Sequence, residues 1–216
     1  MILIGILGGV ASGKSEVSGR LRAWGAAVLD ADRVGHAVLR EAEVKQAVRR
    51  RWGEAVFDAA GEIDRRTVAE IVFAAAPESR VELAFLEQLT HPRIGRRLQE
   101  QLAELQRQGV SAAVLDAPVM LKAGWDALCQ RIVFVDAPRD ARLARARQRG
   151  WTEAEFAARE AAQEPVETKR RRADVTFDNS LTRQHLFAQV DRFWHSLVAV
   201  GDGPAAEPET AGASRP

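Results

Sequence analysis

Cysteine is almost missing from this chain. Cys129 stands alone among 216 residues, so neither an internal disulfide nor a zinc cluster can form, which points to a reducing compartment. No His lies near it in the sequence, and it reads as a small core or surface residue rather than a nucleophile. Long hydrophobic runs are missing too, since nothing approaches the roughly 20 apolar residues of a membrane span. The apolar start, Ile2 to Leu7, has no basic segment before it and is too short for a secretory signal. A cytoplasmic protein is expected. Excess charge of either sign is also lacking. A formal net charge of +1 gives no bulk field to hold nucleic acid or an acidic membrane, and neither is expected as a partner. Aromatics are few. The five Trp, at 24, 52, 125, 151 and 194, fall in different segments and read mainly as packing residues.

What remains is an ordinary globular composition, long enough for one domain with a sizeable core or one domain with insertions. Five short apolar runs stand out: Ile2 to Leu7, Ala26 to Leu29, Ala112 to Leu115, Ile132 to Val135 and Val175 to Phe177. The strongest are continuous rather than alternating, which suits strands covered on both faces. Asp30, Asp116, Asp136 and Asp178 directly follow four of them. In an open α/β sheet the carboxyl ends of the strands line the binding crevice, so these acids are candidates for a magnesium-nucleotide site, although Asp also commonly ends strands. Helical patterns cover Ser15 to Trp24, Val81 to Gln108, Arg139 to Arg149, Glu153 to Gln163 and Thr182 to Val198. Pro92 should kink or break the second. Strand and helix alternate at both ends, the pattern of a parallel sheet with right-handed crossovers. The stretch 35–109 carries no convincing strand and reads as a helical insertion. The segment from Gly201 to Pro216 is rich in Gly, Pro, Ala and acids and is expected to be a disordered tail.

Three glycines directly behind the first apolar run need a reason. Residues Gly8, Gly9, Val10, Ala11, Ser12, Gly13, Lys14 and Ser15 read G-x-x-x-x-G-K-S without a gap. Glycines let successive backbone N–H groups turn inward as an anion nest, and the following helix adds its positive end. Lys14 is expected to reach the β- and γ-phosphates, and the Ser15 hydroxyl to ligate Mg²⁺. The loop alone does not separate kinases from other nucleotide-binding proteins. Neither an N-K-x-D nor an LSGGQ-like element is present, and the short chain carries a late arginine cluster, which favours a small-molecule kinase.

That cluster holds Arg139, Arg142, Arg145, Arg147 and Arg149. On a helix, Arg142, Arg145 and Arg149 share a face, and no acidic residue after Asp140 interrupts the run. It reads either as a solvated face or as a mobile lid that brings positive charge to a transferring phosphoryl group. A second cluster, Lys169 to Arg172, reads equally as phosphate contacts or as surface. Asp30 and Asp32, in VLDADRVGHAV, could take the proton of an acceptor hydroxyl or bind Mg²⁺ through water. Spacing does not decide between the two.

Together these stretches resemble the dephospho-coenzyme A kinase family. The resemblance runs from Ile2 to about Val190. It rests on GILGGVASGKSEV, VLDADRVGHAV, the His91-Pro92 pair of LEQLTHPRI, LDAPVML with Asp116, RLARARQRG, AAQEPVETK with Gln163 and Lys169, and RADVTFDNS, in that order. It implies an α/β P-loop nucleotide kinase fold with a five-stranded parallel sheet flanked by helices. The core would be residues 1–34, 110–138 and 173–200, with a helical acceptor-binding insertion at 35–109 and an arginine-bearing lid at 139–165. It implies transfer of the ATP γ-phosphoryl group to the ribose 3′-hydroxyl of dephospho-coenzyme A, with Mg²⁺. Asp32 matches the general base. Arg142, Arg145 and Arg149 fall in the lid, and Asn179 at a position near the nucleotide. His91, together with Asp32 and Asp116, is a candidate acceptor contact, though a His before Pro also reads as a turn or cap residue. Three positions depart from the family pattern. Arg142 stands where Gln is often found, which should make the lid more cationic. Glu16 stands where Thr is usual, so a hydroxyl contact to the α-phosphate is lost or passes to a backbone N–H. Lys122 stands where Glu is expected. Rival readings are a nucleoside, shikimate or gluconate kinase, or a nucleotide-binding regulatory module. A monomer or weak homo-oligomer is expected.

Overall fold

Each of the five apolar runs is a strand; the three central ones bury both of their faces, and the two at the sheet edges bury one. In the computed structural model, which describes residues 1–74 and 76–201, and side chains through 197, β1 is Ile2–Gly8, β2 Ala27–Asp30, β3 Ala112–Asp116, β4 Arg131–Asp136 and β5 Val175–Asp178. Leu3 and Leu7 point to one side of β1, and Ile4 and Ile6 to the other. All pairings are parallel, in the order β2-β3-β1-β4-β5. The second strand therefore does not neighbour the first, since β3 lies between them. Asp30 pairs in register with Asp116, and Asp116 with Ile6, which brings these two carboxylates to the edge where the glycine-rich loop leaves β1.

Helices cover both faces. On the Ile4 and Ile6 side lie α1 (Lys14–Ala23) and, at the end of the chain, α9 (Arg183–Gly201), which contribute Val17, Leu21, Leu186 and Val190 to one cluster. The other face is covered by the insertion, consisting of α2 (Ala31–Val38), α3 (Ala42–Trp52), α4 (Arg65–Val72) and α5 (Ser79–Arg107). Their Val34, Val48, Ile94 and Leu98 join Leu3, Leu29 and Phe134 in a single core. The insertion is thus seated on the sheet. The division expected after residue 34 falls inside α2. Asp30 caps that helix by accepting the N–H of Arg33 at 2.9 Å, so Asp32 sits in its first turn.

Of the kink or break expected at Pro92, the break does not occur in α5. The helix runs unbroken for 29 residues. Burial on both sides of the proline, at Thr90, Ile94 and Leu98, holds it together against the lost N–H. The Thr90 hydroxyl and the Arg93 guanidinium donate to the carbonyls of Leu86 and Leu89, at 2.7 and 2.8 Å. The remaining helices are α6 (Arg139–Gln148), α7 (Glu153–Ala161) and α8 (Val166–Arg171). The last was not legible as a helix. Among the described residues no helix is long and apolar enough to cross a membrane. The tail expected beyond Gly201 lies outside the described residues.

Leu98 is fully buried where insertion and sheet share their core. Leu98→Ala should cost about 3 kcal/mol. Urea unfolding followed by circular dichroism should show one transition at a lower midpoint, not separate loss of the insertion.

Candidate active site

The loop between β1 and α1 departs from regular backbone where a cradle requires it. Gly13 adopts φ 104° and Ala11 φ 58°. A Cβ on Gly13 would stand 2.2 Å from Asn179 Nδ2, so both the conformation and the contact demand glycine. Among the described residues, the N–H groups of Val10, Ala11, Gly13, Lys14 and Ser15 find no acceptor. The Gly13 N-cap supplies none by side chain. Free amides at a helix start make a site for an anion. The Ser12 hydroxyl is buried in the loop, also without a partner among the described residues.

The carbonyls of the loop are turned the other way and held. Ser12 O accepts from Asn179 Nδ2 at 2.8 Å and from Arg145 at 3.2 Å. Arg145 also reaches Asn179 O at 2.8 Å. Arg142 donates to Ala137 O at 3.1 Å and to Val10 O at 3.4 Å, and pairs with Glu160. Arg142 is thus a buried strut beneath Gly9, not one of an exposed row. Glu160 and Glu153 of α7 pair with Arg139, Arg142 and Arg147, so the run that lacks acids in its own sequence is partly neutralised by the next helix. Arg149 is exposed and has no carboxylate partner among the described residues. Val10 and Ala11 pack with Leu143, Ala146 and Phe156 in a small cluster separate from the main core. This seats α6 and α7 on the loop.

Lys14 folds back on its own loop, with Nζ 3.0 Å from Gly9 O and 3.3 Å from Gly8 O. Burial lowers its pKa, Asp116 opposes this, and Arg142 and Arg149 add to the lowering. Opposite stand the carboxylates. Desolvation raises the pKa of Asp116, Lys14 works against that, and Asp30 and Asp32 raise it further. Asp32 is raised by desolvation and by Asp30, against His36. These four charged groups share one electrostatic neighbourhood. The other two strand-end acids are committed elsewhere. Asp136 is bound by Arg170 through two bonds of 2.8 and 2.9 Å, and Asp178 accepts the Ser180 N–H at 2.8 Å. The row of four expected from the sequence is therefore two acids at the site and two in structure.

A cleft of 290 Å³ opens beside Asp32. It is lined by Gly35, His36, Leu86, Thr90, His91 and Trp125, among others. His91 lies inside α5, so it is neither a turn nor a cap residue. Its ring meets Trp125 edge-on at 5.5 Å, and burial lowers its pKa. Trp125 and His36 were not singled out by sequence reasoning. His36, one helical turn after Asp32, carried a readable signal, whereas Trp125 carried none. Cys129 is inert, because burial pushes its thiol up to about 12.

Lys169 is the least expected member. Its side chain is 2% exposed and borders a 380 Å³ cavity under the loop, with Gly9, Val10, Glu160 and Glu164. Its ammonium donates to Gln163 at 2.7 Å. Burial, with Lys14 and Arg142 nearby, brings it down to about 8, although Glu164 opposes this.

A family model described as dephospho-CoA kinase matches residues 2–184. The chain belongs to the dephospho-CoA kinase family. A dephospho-CoA kinase of Parasynechococcus marenigrum is 41% identical over 191 residues, 88% of this chain and 93% of that one. One from Symbiobacterium thermophilum is 37% identical over 211 residues, 95% and 86% of the two chains. The crystal structure of TT1252 from Thermus thermophilus superposes with a TM-score of 0.74 at 35% identity, covering 94% and 98%. The family's reaction, ATP-dependent phosphorylation of dephospho-coenzyme A, is the last step of coenzyme A synthesis. Two of the departures from the dephospho-CoA kinase pattern, Glu16 and Lys122, have partners here. Glu16 faces Arg183 at 3.5 Å, and Lys122 meets Glu87 of α5 at 2.5 Å.

Two outcomes follow from this geometry. Asn179→Ala removes one of the two donors to the Ser12 carbonyl and should weaken ATP binding up to about tenfold, read by calorimetric titration. Lys169→Met removes a buried cation whose folded pKa lies below its ordinary 10.5. The unfolded chain binds more protons between pH 8 and 10.5, so the wild-type penalty is full below pH 8 and fades as pH rises. The variant should gain on the order of 2 kcal/mol at pH 7, and lose that advantage by pH 10 in denaturant melts.

Proposed function

We propose that the loop amides and Lys14 hold the phosphates of ATP while Asp32 takes the proton of the ribose 3′-hydroxyl of dephospho-coenzyme A. The observation that carries this reading is the common neighbourhood of Lys14, Asp116 and Asp32 at the end of the cleft that Asp32 lines. The acceptor oxygen forms its bond to the γ-phosphorus, and the β–γ bridging bond breaks with its electrons going to ADP. The hydroxyl proton passes to Asp32 and then to water. Most of the rate comes from positioning and from charge stabilisation. Arg145 and Arg149 face the transferred group with positive charge, Arg142 supports the loop from beneath, and Asn179 fixes its curl. His91 and Asp116 belong to the acceptor side. Glu16, next to Ser15, leaves the α-phosphate to backbone amides.

Among the described residues no three His, Cys, Asp or Glu side chains gather as a metal site. Mg²⁺ keeps waters and binds through one or two protein ligands plus substrate phosphates. The Ser15 hydroxyl would hold it, and it would neutralise charge on the triphosphate. The helical insertion then serves as the acceptor-binding part and residues 139–165 as the lid. A cytoplasmic location fits the lone thiol, and the site as drawn is complete within a monomer.

Incubation with MgATP and dephospho-coenzyme A should yield a product one phosphate heavier by mass spectrometry. No such product, with turnover of another acceptor from a panel of nucleosides, shikimate and gluconate, overturns the reading. Asp32→Asn should lower kcat by roughly 10²-fold or more with the KM for ATP unchanged. Because the Asp32 pKa is raised, its protonated, inactive form persists above the usual carboxylate range. kcat/KM should therefore fall with falling pH in that region, and the variant should lose this limb.

A further inference from the structure

One buried cation has no task in the transfer as drawn. Of the cluster Lys169 to Arg172, the other three members are accounted for. Arg170 binds Asp136, Arg172 binds Asp126, and Arg171 is exposed. Lys169 alone is buried, because α8 packs against β1 and turns it under the phosphate loop. An ammonium carries three donors. One goes to Gln163 Oε1 at 2.7 Å. Among the described residues the other two find no acceptor, and no carboxylate forms an ion pair with this lysine.

The charges that face Lys169 do not supply the missing anion. Lys14 and Arg142 repel it, and Glu164 draws it without pairing. Glu160, on the same cavity wall, is already held by Arg139 and Arg142. With its pKa at about 8, Lys169 is still an ammonium at neutral pH. A desolvated cation without a counter-charge weakens the fold, and one kept at that cost beside a nest of free amides has a use for its charge.

The end of the loop that Lys169 borders is the end that Lys14 marks. Gly9 and Val10 line the cavity with it. Lys14 Nζ lies 3.0 Å from Gly9 O, and the Val10 N–H has no acceptor among the described residues. Lys14 is the side chain that reaches the β- and γ-phosphates. The transferred group spreads negative charge over three oxygens, more than one ammonium covers. We propose that Lys169 is a second ammonium on the γ-phosphoryl group, leaving Gln163 to donate to one of its oxygens when ATP is bound. This rests on the reading of the loop as the holder of the ATP phosphates. The flexible four-carbon stem of a lysine suits the swing, and Gln163 holds the ammonium between turnovers. Lys169 stays protonated throughout. It supplies charge where charge develops and passes no proton.

The test compares wild type, Lys169→Met and Arg171→Met with MgATP and dephospho-coenzyme A. Lys169→Met removes a costly buried charge, so the variant should fold, and its melting temperature checks this. It should lower kcat about 10²- to 10³-fold, with the KM for dephospho-coenzyme A within about twofold. Calorimetric titration should show ATP weakened about tenfold, and ADP, which lacks the γ-phosphate, unchanged. Arg171→Met removes an exposed charge from the same stretch and should leave kcat as it is. A kcat of Lys169→Met within about threefold of wild type overturns the proposal. So does an equal weakening of ATP and ADP, which would mark a distorted loop. An equal fall in Arg171→Met, the sign of a diffuse field, overturns it too. Failure of the underlying reading looks different: Lys14→Ala would bind ATP as wild type does, or wild type would transfer no phosphate to dephospho-coenzyme A.

Discussion

A peptide loop can present its N–H groups to an anion only if its carbonyls are held away from it. In this molecule that duty falls on Arg142, Arg145 and Asn179, which bind the carbonyls of Val10 and Ser12 from outside the loop. The backbone at Ala11 is held at φ 58°, in the left-handed region, at a cost of order 1–3 kcal/mol. It persists because the surroundings over-determine it. The three holders come from α6 and from the end of β5, far from the loop in sequence. Correct packing of the whole sheet is therefore a precondition for the cradle.

Charge is arranged around that cradle so that a polyanion relieves it. Lys14 and Lys169 are both desolvated cations, and Lys14 further lowers the proton affinity of Lys169. Across from them, Asp30, Asp32 and Asp116 repel one another. Without ligand these groups are costly to the fold. A triphosphate on one side and a hydroxyl donor on the other turn the same groups into partners. The stability lost to these groups is offset by the shared core of sheet and insertion, where Leu98, Phe134 and Leu115 are wholly buried.

The loop was readable because its chemistry is local. Glycine spacing, an apolar strand before it and a helix after it occupy one continuous stretch from Ile2 to Ala23. The five strands were readable for the same reason, as continuous apolar runs ended by turn residues. Asp32 stood out by its place after β2. Other members were hidden. Lys169 read equally as a phosphate contact or a surface cation until α8 buried it, and Trp125 looked like packing until the cleft formed along it. Arg142 looked like its exposed neighbours, yet its helix face turns it under Gly9.

Local order along this chain follows from contacts within a few residues, so strands, most helices and the phosphate loop could be read from residue order and spacing. Strand adjacency could not. Placing β3 between β1 and β2 depends on which apolar faces pack together after the long helical insertion, and pairing between distant segments leaves no periodic trace. That order sets Asp116 beside the loop and ties Asp136 to Arg170. It thereby divides four similar strand-end acids into two that face the cradle and two that hold the fold.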